Sequence, residues 1–370
     1  MKIVVTAGGS GGHIYPALAI INKFKEHEKE LEILYIGTHN RMEREIVPKH
    51  NIRYEAIEIY GFSKTNIQRD IKNIFLIRKA IKRCKELMEE FQPDVVLGIG
   101  GYVTYPVIKA AKELGIKTFI HEQNSLPGKT NRVIGKQVDL IGISFPESAS
   151  YFPKEKTFYC GNPCAENALT IKPMEKESLG LSKKKKLVVI VAGSLGSSSL
   201  NAKMKEVLLH CDGKPYEVLY ITGNGFYDDF IKDLEIPKNV KVVPYLDNLS
   251  ALFKNTDLVV ARAGASTMSE LMALGLPAIF IPSPYVANNH QYYNALELKK
   301  KNAADMIEEK DVTSILLLNK IDEILNDEKR YEEMKKNISK LGIKNSSEQI
   351  WKKVKELVKW KKNYKDMQKW

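Results

Sequence analysis

The sequence has 370 residues, 44% of them hydrophobic and 28% charged, and a formal net charge of +12. This balance describes a soluble globular protein long enough for two domains of ordinary size. No apolar run approaches the roughly 18 to 20 residues that span a bilayer, and the N-terminus lacks the apolar core and small-residue cleavage site of a signal peptide, so a cytoplasmic protein is expected.

Four cysteines, Cys84, Cys160, Cys164 and Cys211, fit reduced thiols. Cys160 and Cys164 flank Gly161-Asn162-Pro163 with no second Cys or His pair in metal-ligand spacing, which argues against a zinc site. The positive charge points to an anionic partner: phosphorylated substrates, an anionic membrane or nucleic acid. Nucleic acid is the least supported, because the chain has no zinc-finger spacing, no RNP-type aromatic strand and no basic region leading into heptads.

Taken in order, the chain opens on a β-branched apolar run, Lys2 to Ala7, that reads as a buried strand. Gly8, Gly9, Ser10, Gly11 and Gly12 are expected to turn sharply, and Pro16 to sit in the first turn of the helix that follows. Strand, glycine loop and helix aim free backbone N–H groups at an anion. His13, at the loop–helix junction, is the side chain there able to carry a proton near neutral pH. The glycines do not follow the G-x-G-x-x-G spacing of a dinucleotide site, and no clean acidic residue ends a second strand to grip a ribose. By itself the loop is equally a tight turn with a capping histidine.

Strands are expected at Ile33 to Gly37, Ile57 to Tyr60, Asp94 to Ile99, Lys117 to His121 and Val138 to Ser144. A helix is expected over Ile67 to Glu90, with apolar Ile71, Ile74, Phe75, Ile77, Ile81 and Leu87 among Arg69, Lys72, Arg78, Lys79, Lys82, Arg83 and Lys85. It is either a surface helix packed on the sheet or a helix that touches a membrane, since Ile74-Phe75-Leu76-Ile77 is more apolar than one core-facing stripe needs. Gly100-Gly101-Tyr102-Val103-Thr104 is a second glycine turn at a strand end, and His121-Glu122-Gln123-Asn124 follows another strand. In an open parallel sheet, ligands bind outside the carboxyl ends of the strands. Polar groups gathered at three such ends argue for a site. Proline and glycine punctuation puts the linker near Asn162 to Ala165.

The second half repeats the scheme. Strands are expected at Leu187 to Ala192, Val218 to Thr222, Val240 to Pro244, Leu258 to Ala261 and Ala278 to Ile281, with a third glycine turn at Gly193 to Ser197. Ser266 or Thr267 is expected to cap a helix carrying Glu270 in its first turn. The fold class is therefore α/β, with two facing Rossmann-like domains. In the C-terminal stretch Trp351, Trp360 and Trp370 lie among lysines, and Trp351, Val354, Leu357 and Val358 form one helical face. That helix either docks back on the N-terminal domain or, with its interleaved Trp and Lys, suits a lipid headgroup region.

GGSGGHIYPALA (8–19), GGYVTYP (100–106), HEQNSLPGKTNR (121–132), GNP (161–163), AGSLGSSSLN (192–201), RAGASTMSELMALGLPAIFIP (262–282) and NNHQYYNA (288–295) occur in that order. Together they resemble the MurG family, bacterial N-acetylglucosaminyltransferases of peptidoglycan synthesis with the two-domain GT-B fold. The resemblance runs to about Ser347.

It implies an acceptor and membrane-associating domain over 1–162, a UDP-GlcNAc-binding domain over 163–340, and a helix and basic tail over 341–370. It further implies transfer of GlcNAc from UDP-GlcNAc to the lipid-linked glycopeptide lipid I, with inversion, at the cytoplasmic face of an anionic membrane. No cofactor or metal is implied, because such enzymes hold the leaving diphosphate with backbone amides and helix ends. Carried over by motif, Gly11, Gly12, Gly100, Gly101 and Tyr102 would meet the acceptor, and His13 or else Glu122 would be the base. Ser10, Gly11, Gly12 and Asn124 would reach the donor. Ser194 and Gly196 would meet the UDP phosphates, Leu246 by its backbone the uracil, Glu270 the ribose, and His290 and Gln291 the sugar hydroxyls; Arg262 reads as structural.

Two positions depart from the family pattern. An arginine frequent after Gly-Asn-Pro is replaced here by Cys164-Ala165-Glu166-Asn167, and a frequent Gln-Gln pair is His290-Gln291. The alternatives are another GT-B enzyme, such as a diacylglycerol glycosyltransferase or a UDP-GlcNAc epimerase, a nicotinamide oxidoreductase, or a non-catalytic membrane or nucleic-acid adaptor. The adaptor reading would leave the polar strand ends of both domains unexplained.

Overall fold

The computed structural model describes residues 1–62, 67–193, 196–232 and 234–367, and the side chains of all of these except 67–69 and 360–367. The chain divides into two compact units, Met1–Cys164 with Asn345–Trp370, and Ala165–Lys344.

The first unit holds β1 (Lys2–Ala7), β2 (Glu32–Thr38), β3 (Arg53–Ile57), β4 (Val95–Gly100), β5 (Lys117–Glu122), β6 (Leu140–Ile143) and β7 (Thr157–Tyr159). They form one parallel sheet in the order β3-β2-β1-β4-β5-β6-β7. Successive residues of a strand point to opposite faces, so both faces of this sheet must be covered. On one face Val4, Leu34, Val96, Ile120 and Ile141 pack under helices Ile67–Phe91 and Thr104–Glu113. On the other, Ile3, Val5, Tyr35, Leu97 and Phe119 pack under helix Gly11–His27 and helix Ser346–Met367.

The second unit holds β8 (Leu187–Val191), β9 (Glu217–Ile221), β10 (Val240–Val243), β11 (Leu258–Ala261), β12 (Ala278–Phe280) and β13 (Asp305–Met306). These too are all parallel, in the order β10-β9-β8-β11-β12-β13. Each unit is thus a Rossmann-like fold whose strand order reverses beside its first strand, between β1 and β4 and between β8 and β11. That reversal opens a crevice at the strand carboxyl ends. Three of the glycine turns noted in the sequence follow β1, β4 and β8.

Some expected elements shift. The strand expected at Ile57 to Tyr60 lies earlier, at Arg53–Ile57, because Tyr60 is held instead by a buried side chain. The Asn73 amide accepts from the Tyr60 N–H (3.0 Å) and donates to its carbonyl (2.6 Å). β7 and β13 are edge strands of three and two residues, too short to leave a periodic signal. The C-terminal helix does pack on the N-terminal unit, burying Val354 and Val358 of the expected face together with Ile350, with Trp351 partly buried against the same core. Trp351 lies at the margin, stacked on His27 (3.9 Å between ring centres) and donating to Glu28 (3.2 Å).

Candidate active site

The first glycine loop is shorter than expected. Only Gly8, Gly9 and Ser10 turn; Gly11 and Gly12 are already the first two residues of helix Gly11–His27. Pro16 consequently sits in the second turn, not the first, and has no N–H to give to the Gly12 carbonyl. The Ser10 hydroxyl does not cap the helix, and its first turn has no acidic residue, so its opening N–H groups lack a side-chain partner.

His13 is the third residue of that helix. Its Nδ1 lies 3.0 Å from the Gly8 carbonyl. A carbonyl can only accept, so Nδ1 carries the proton and Nε2 keeps a basic lone pair. Burial lowers the pKa of His13 below the ordinary histidine value, opposed by the Gly8 carbonyl and by the charge of Glu43. A neutral imidazole of fixed tautomer is what a general base requires.

The second glycine turn fits against this ring. Gly100 has φ +123° and Gly101 φ +87°, a region that disfavours side chains. A Cβ on Gly100 would come within 2.5 Å of His13 Cδ2, and one on Gly101 within 2.3 Å of the Gly8 carbonyl oxygen. The Gly8 N–H donates to the Gly100 carbonyl (3.2 Å), which also accepts from the Thr104 hydroxyl (2.9 Å). Tyr102 accepts at its hydroxyl from Arg41 Nε (3.3 Å). The structure therefore brings Ser10, Gly11, Gly12, His13, Gly100, Gly101 and Tyr102 into one cluster.

A residue that the sequence did not flag anchors this cluster. Glu43 is 0% exposed although it stands in the charged string Arg41-Met42-Glu43-Arg44-Glu45. One carboxylate oxygen accepts from the N–H (3.1 Å) and hydroxyl (2.6 Å) of Thr38, and the other from the Gly9 N–H (3.1 Å). The signal that could have found it is steric: Gly8 and Gly37 both lack the Cβ that would collide with its side chain.

At the end of β5 the side chains of His121, Glu122 and Gln123 are buried. His121 donates from Nε2 to the Gly161 carbonyl (2.9 Å) and accepts at Nδ1 from Gln123 (3.0 Å); burial pulls its pKa down to about 4. Glu122 is buried, and burial raises its pKa despite four donors. Those donors are the Asn124 N–H and side-chain amide on one oxygen, and the Gly128 N–H and Asn131 amide on the other. Every lone pair of Glu122 is used in shaping the 123–131 loop, whereas His13 keeps Nε2.

In the second unit, Ser194 lies outside the described residues. Gly196 has φ +73°, and a Cβ there would meet the Thr222 carbonyl at 2.5 Å. Ser197 caps helix Ser198–Leu209 and accepts from Arg262 Nη2 (2.7 Å). Arg262 is buried in an ion pair with Glu309 (2.6 Å) and donates to the Ile281 carbonyl (3.2 Å), so it braces the loop from below.

The helix after β11 begins at Ala265 with Gly264 before it and no side-chain cap, so Glu270 stands in its second turn, not its first. The extended backbone of Gly264 starts the helix before Ser266 or Thr267 is reached. Burial pushes the Glu270 pKa up to about 7, opposed by the Ser250 hydroxyl that donates to it. Ser250 is the second residue of the short helix Leu249–Phe253 that follows Leu246, so one hydrogen bond ties Glu270 to that helix. Gln291 accepts from the Ser283 N–H (2.9 Å), and His290 donates from Nδ1 to the Ala287 carbonyl (2.9 Å).

Two Rossmann-like units, each with a glycine loop at its switch point, are the architecture of the GT-B class of glycosyltransferases. The sequence matches the glycosyltransferase family 28 N-terminal domain over residues 3–143 and its C-terminal domain over residues 187–353. The chain belongs to that family and, within it, to the MurG group. The UDP-N-acetylglucosamine–N-acetylmuramyl-(pentapeptide) pyrophosphoryl-undecaprenol N-acetylglucosamine transferase of Halalkalibacterium halodurans is 44% identical over 363 residues, 97% of this chain and 100% of that one. The crystal structure of Acinetobacter baumannii MurG superposes with a TM-score of 0.77 at 25% identity, covering 96% of this chain and 99% of that one. The UDP-GlcNAc 2-epimerase of Neisseria meningitidis shares the fold alone, with a TM-score of 0.67 at 14% identity, over 96% of this chain and all (100%) of that one.

Proposed function

We propose that this chain moves GlcNAc from UDP-GlcNAc to the C4 hydroxyl of MurNAc in undecaprenyl-pyrophosphoryl-MurNAc-pentapeptide, lipid I, releasing UDP and forming lipid II. The likeness to enzymes of that name along nearly the whole chain carries the reading, and His13 supplies its chemistry. In the single displacement the C4 oxygen attacks the anomeric carbon, the bond from that carbon to the UDP oxygen breaks with its electron pair leaving on UDP, and the hydroxyl proton passes to His13 Nε2. One inversion at the anomeric carbon follows.

The reading assigns acceptor binding to the first unit and donor binding to the second. Gly11, Gly12, Gly100, Gly101 and Tyr102 meet the acceptor pyrophosphate and sugar. Ser10 and Asn124 approach the donor. Ser194 and Gly196 receive the UDP phosphates, Leu246 the uracil, Glu270 the ribose hydroxyls, and His290 with Gln291 the GlcNAc hydroxyls. Glu122 holds the 123–131 loop rather than the proton.

The acceptor is a membrane lipid, and the reading includes peripheral attachment to the cytoplasmic face. No helix among the described residues is long and apolar enough to cross a membrane. Ile71, Ile74 and Phe75 on helix Ile67–Phe91, together with Phe62, are 48–65% exposed, among the cationic Lys72, Arg78, Lys79 and Lys82. Apolar wedges ringed by lysine and arginine favour an anionic headgroup layer.

The test is UDP release from UDP-GlcNAc with and without a short-chain lipid I analogue, in EDTA. Acceptor-dependent release with a disaccharide product is expected. Release without acceptor would instead favour an epimerase.

A further inference from the structure

The Gly8–Gly9 peptide group is bonded at both ends. Its carbonyl accepts from His13 Nδ1 (3.0 Å), and its N–H donates to Glu43 Oε2 (3.1 Å). We infer that Glu43 is a positioning residue that acts on His13 through this single peptide, as a carboxylate acts directly on the histidine of a carboxylate–histidine pair. A buried negative charge on the N–H side polarises the amide and makes its carbonyl a stronger acceptor, because hydrogen-bonded dipoles in a low-dielectric interior reinforce one another. A stronger acceptor at Nδ1 pins the Nδ1–H tautomer and raises the basicity of Nε2.

The geometry fits that role and little else. All three groups facing the Glu43 carboxylate are donors, which suits an acceptor-only side chain. Its other oxygen is fixed at the end of β2 by Thr38, so the peptide is referred to the rigid sheet and not to a loop. Gly8 and Gly37 leave the space that Glu43 occupies, and side chains there would displace it. Neighbouring titratable groups do not confuse the link: the Tyr35 and Tyr54 phenols are pushed above their ordinary range by burial, and the Arg41 guanidinium is held above its ordinary value by its hydrogen bond to Tyr102. His13 in turn is faced by Ser10 and by the backbone of Gly8 and Gly100.

The inference rests on the reading of His13 as the base, and its test separates the two. Glu43→Gln in the full chain keeps the shape and removes the charge. The expected result is a fall in kcat of about tenfold, an acid limb of the pH profile moved to lower pH, and an unchanged KM for UDP-GlcNAc. Glu43→Asp, which keeps the charge on a shorter arm, should recover part of the loss. Nitrogen NMR of labelled histidine should find His13 as the Nδ1–H tautomer in the parent and as a mixture in Glu43→Gln.

A folded Glu43→Gln with the parent's kcat, pH profile and tautomer overturns the inference while leaving the base assignment intact. If His13→Ala stays active, the base assignment fails, and the NMR tautomer alone decides whether Glu43 governs His13. Should Glu43→Gln not fold, Thr38→Val, which removes one anchor of the carboxylate at nearly constant shape, is scored by the same two readouts.

Discussion

At the scale of single residues, two carboxylates and a histidine take different parts because of what surrounds them. His13 has a donor-free Nε2 side and a proton fixed on Nδ1, so His13→Ala should lower kcat by about 10²- to 10⁴-fold with UDP affinity unchanged. Its lowered pKa puts the acid limb of activity below the ordinary histidine value of 6.5, to be checked by a kcat–pH profile. Glu122→Gln turns one amide group toward two donors and should cost about 1–3 kcal/mol of stability in urea unfolding. Glu270 keeps its proton in the folded chain up to about pH 7, so its share of stability is full below its ordinary value of 4.5 and is lost as pH climbs toward 7. UDP affinity should run the other way. On the proposed assignment of Glu270 to the ribose, the ionised carboxylate would accept its hydroxyls, so binding should weaken by up to about tenfold per pH unit below 7, and Glu270→Gln should flatten that slope in calorimetric titrations.

At the scale of elements, the sequence was most legible where hydrophobic periodicity is long. Lys2–Ala7 and the helix starting at Ile67 were bounded to within a residue, and all three glycine turns lie at strand ends. It was least legible where one buried contact overrides local pattern. Asn73 ends β3 early, and Glu43 hides in a run of surface-like charge, because burial of a single polar side chain leaves no period to detect. The apolar excess of helix Ile67–Phe91 also divides by face: Ala80, Cys84, Leu87 and Met88 enter the core, and Ile71, Ile74 and Phe75 do not. Phe75 is 64% exposed, so Phe75→Glu should leave stability within about 0.5 kcal/mol while weakening co-sedimentation with anionic vesicles. In the C-terminal helix the Trp and Lys pattern allowed two uses, and Trp351 takes the structural one against His27 and Glu28. The side chains of Trp360 and Trp370 lie outside the described residues, and unchanged vesicle binding after deletion of Lys361 to Trp370 would remove that tail from the membrane reading.

At the scale of the whole molecule, the chain leaves its first unit after Cys164, builds the second, and returns at Asn345. Burying Ile350, Val354 and Val358 contributes about 5 to 9 kcal/mol at the usual value per apolar side chain, comparable with the entire stability of an ordinary domain. Ending the chain at Lys344 should therefore melt the first unit at a much lower temperature and leave the second unit's transition in place, which differential scanning calorimetry would resolve. The same return path fixes an order of assembly during translation. Domains usually complete themselves in the order in which they are synthesised. Here the ribosome must make all of the second unit before it releases the helix that covers Ile14, Ile21 and their neighbours. The half carrying His13 is begun first and finished last, so the nascent chain carries a completed second unit beside a first unit still missing one side of its core.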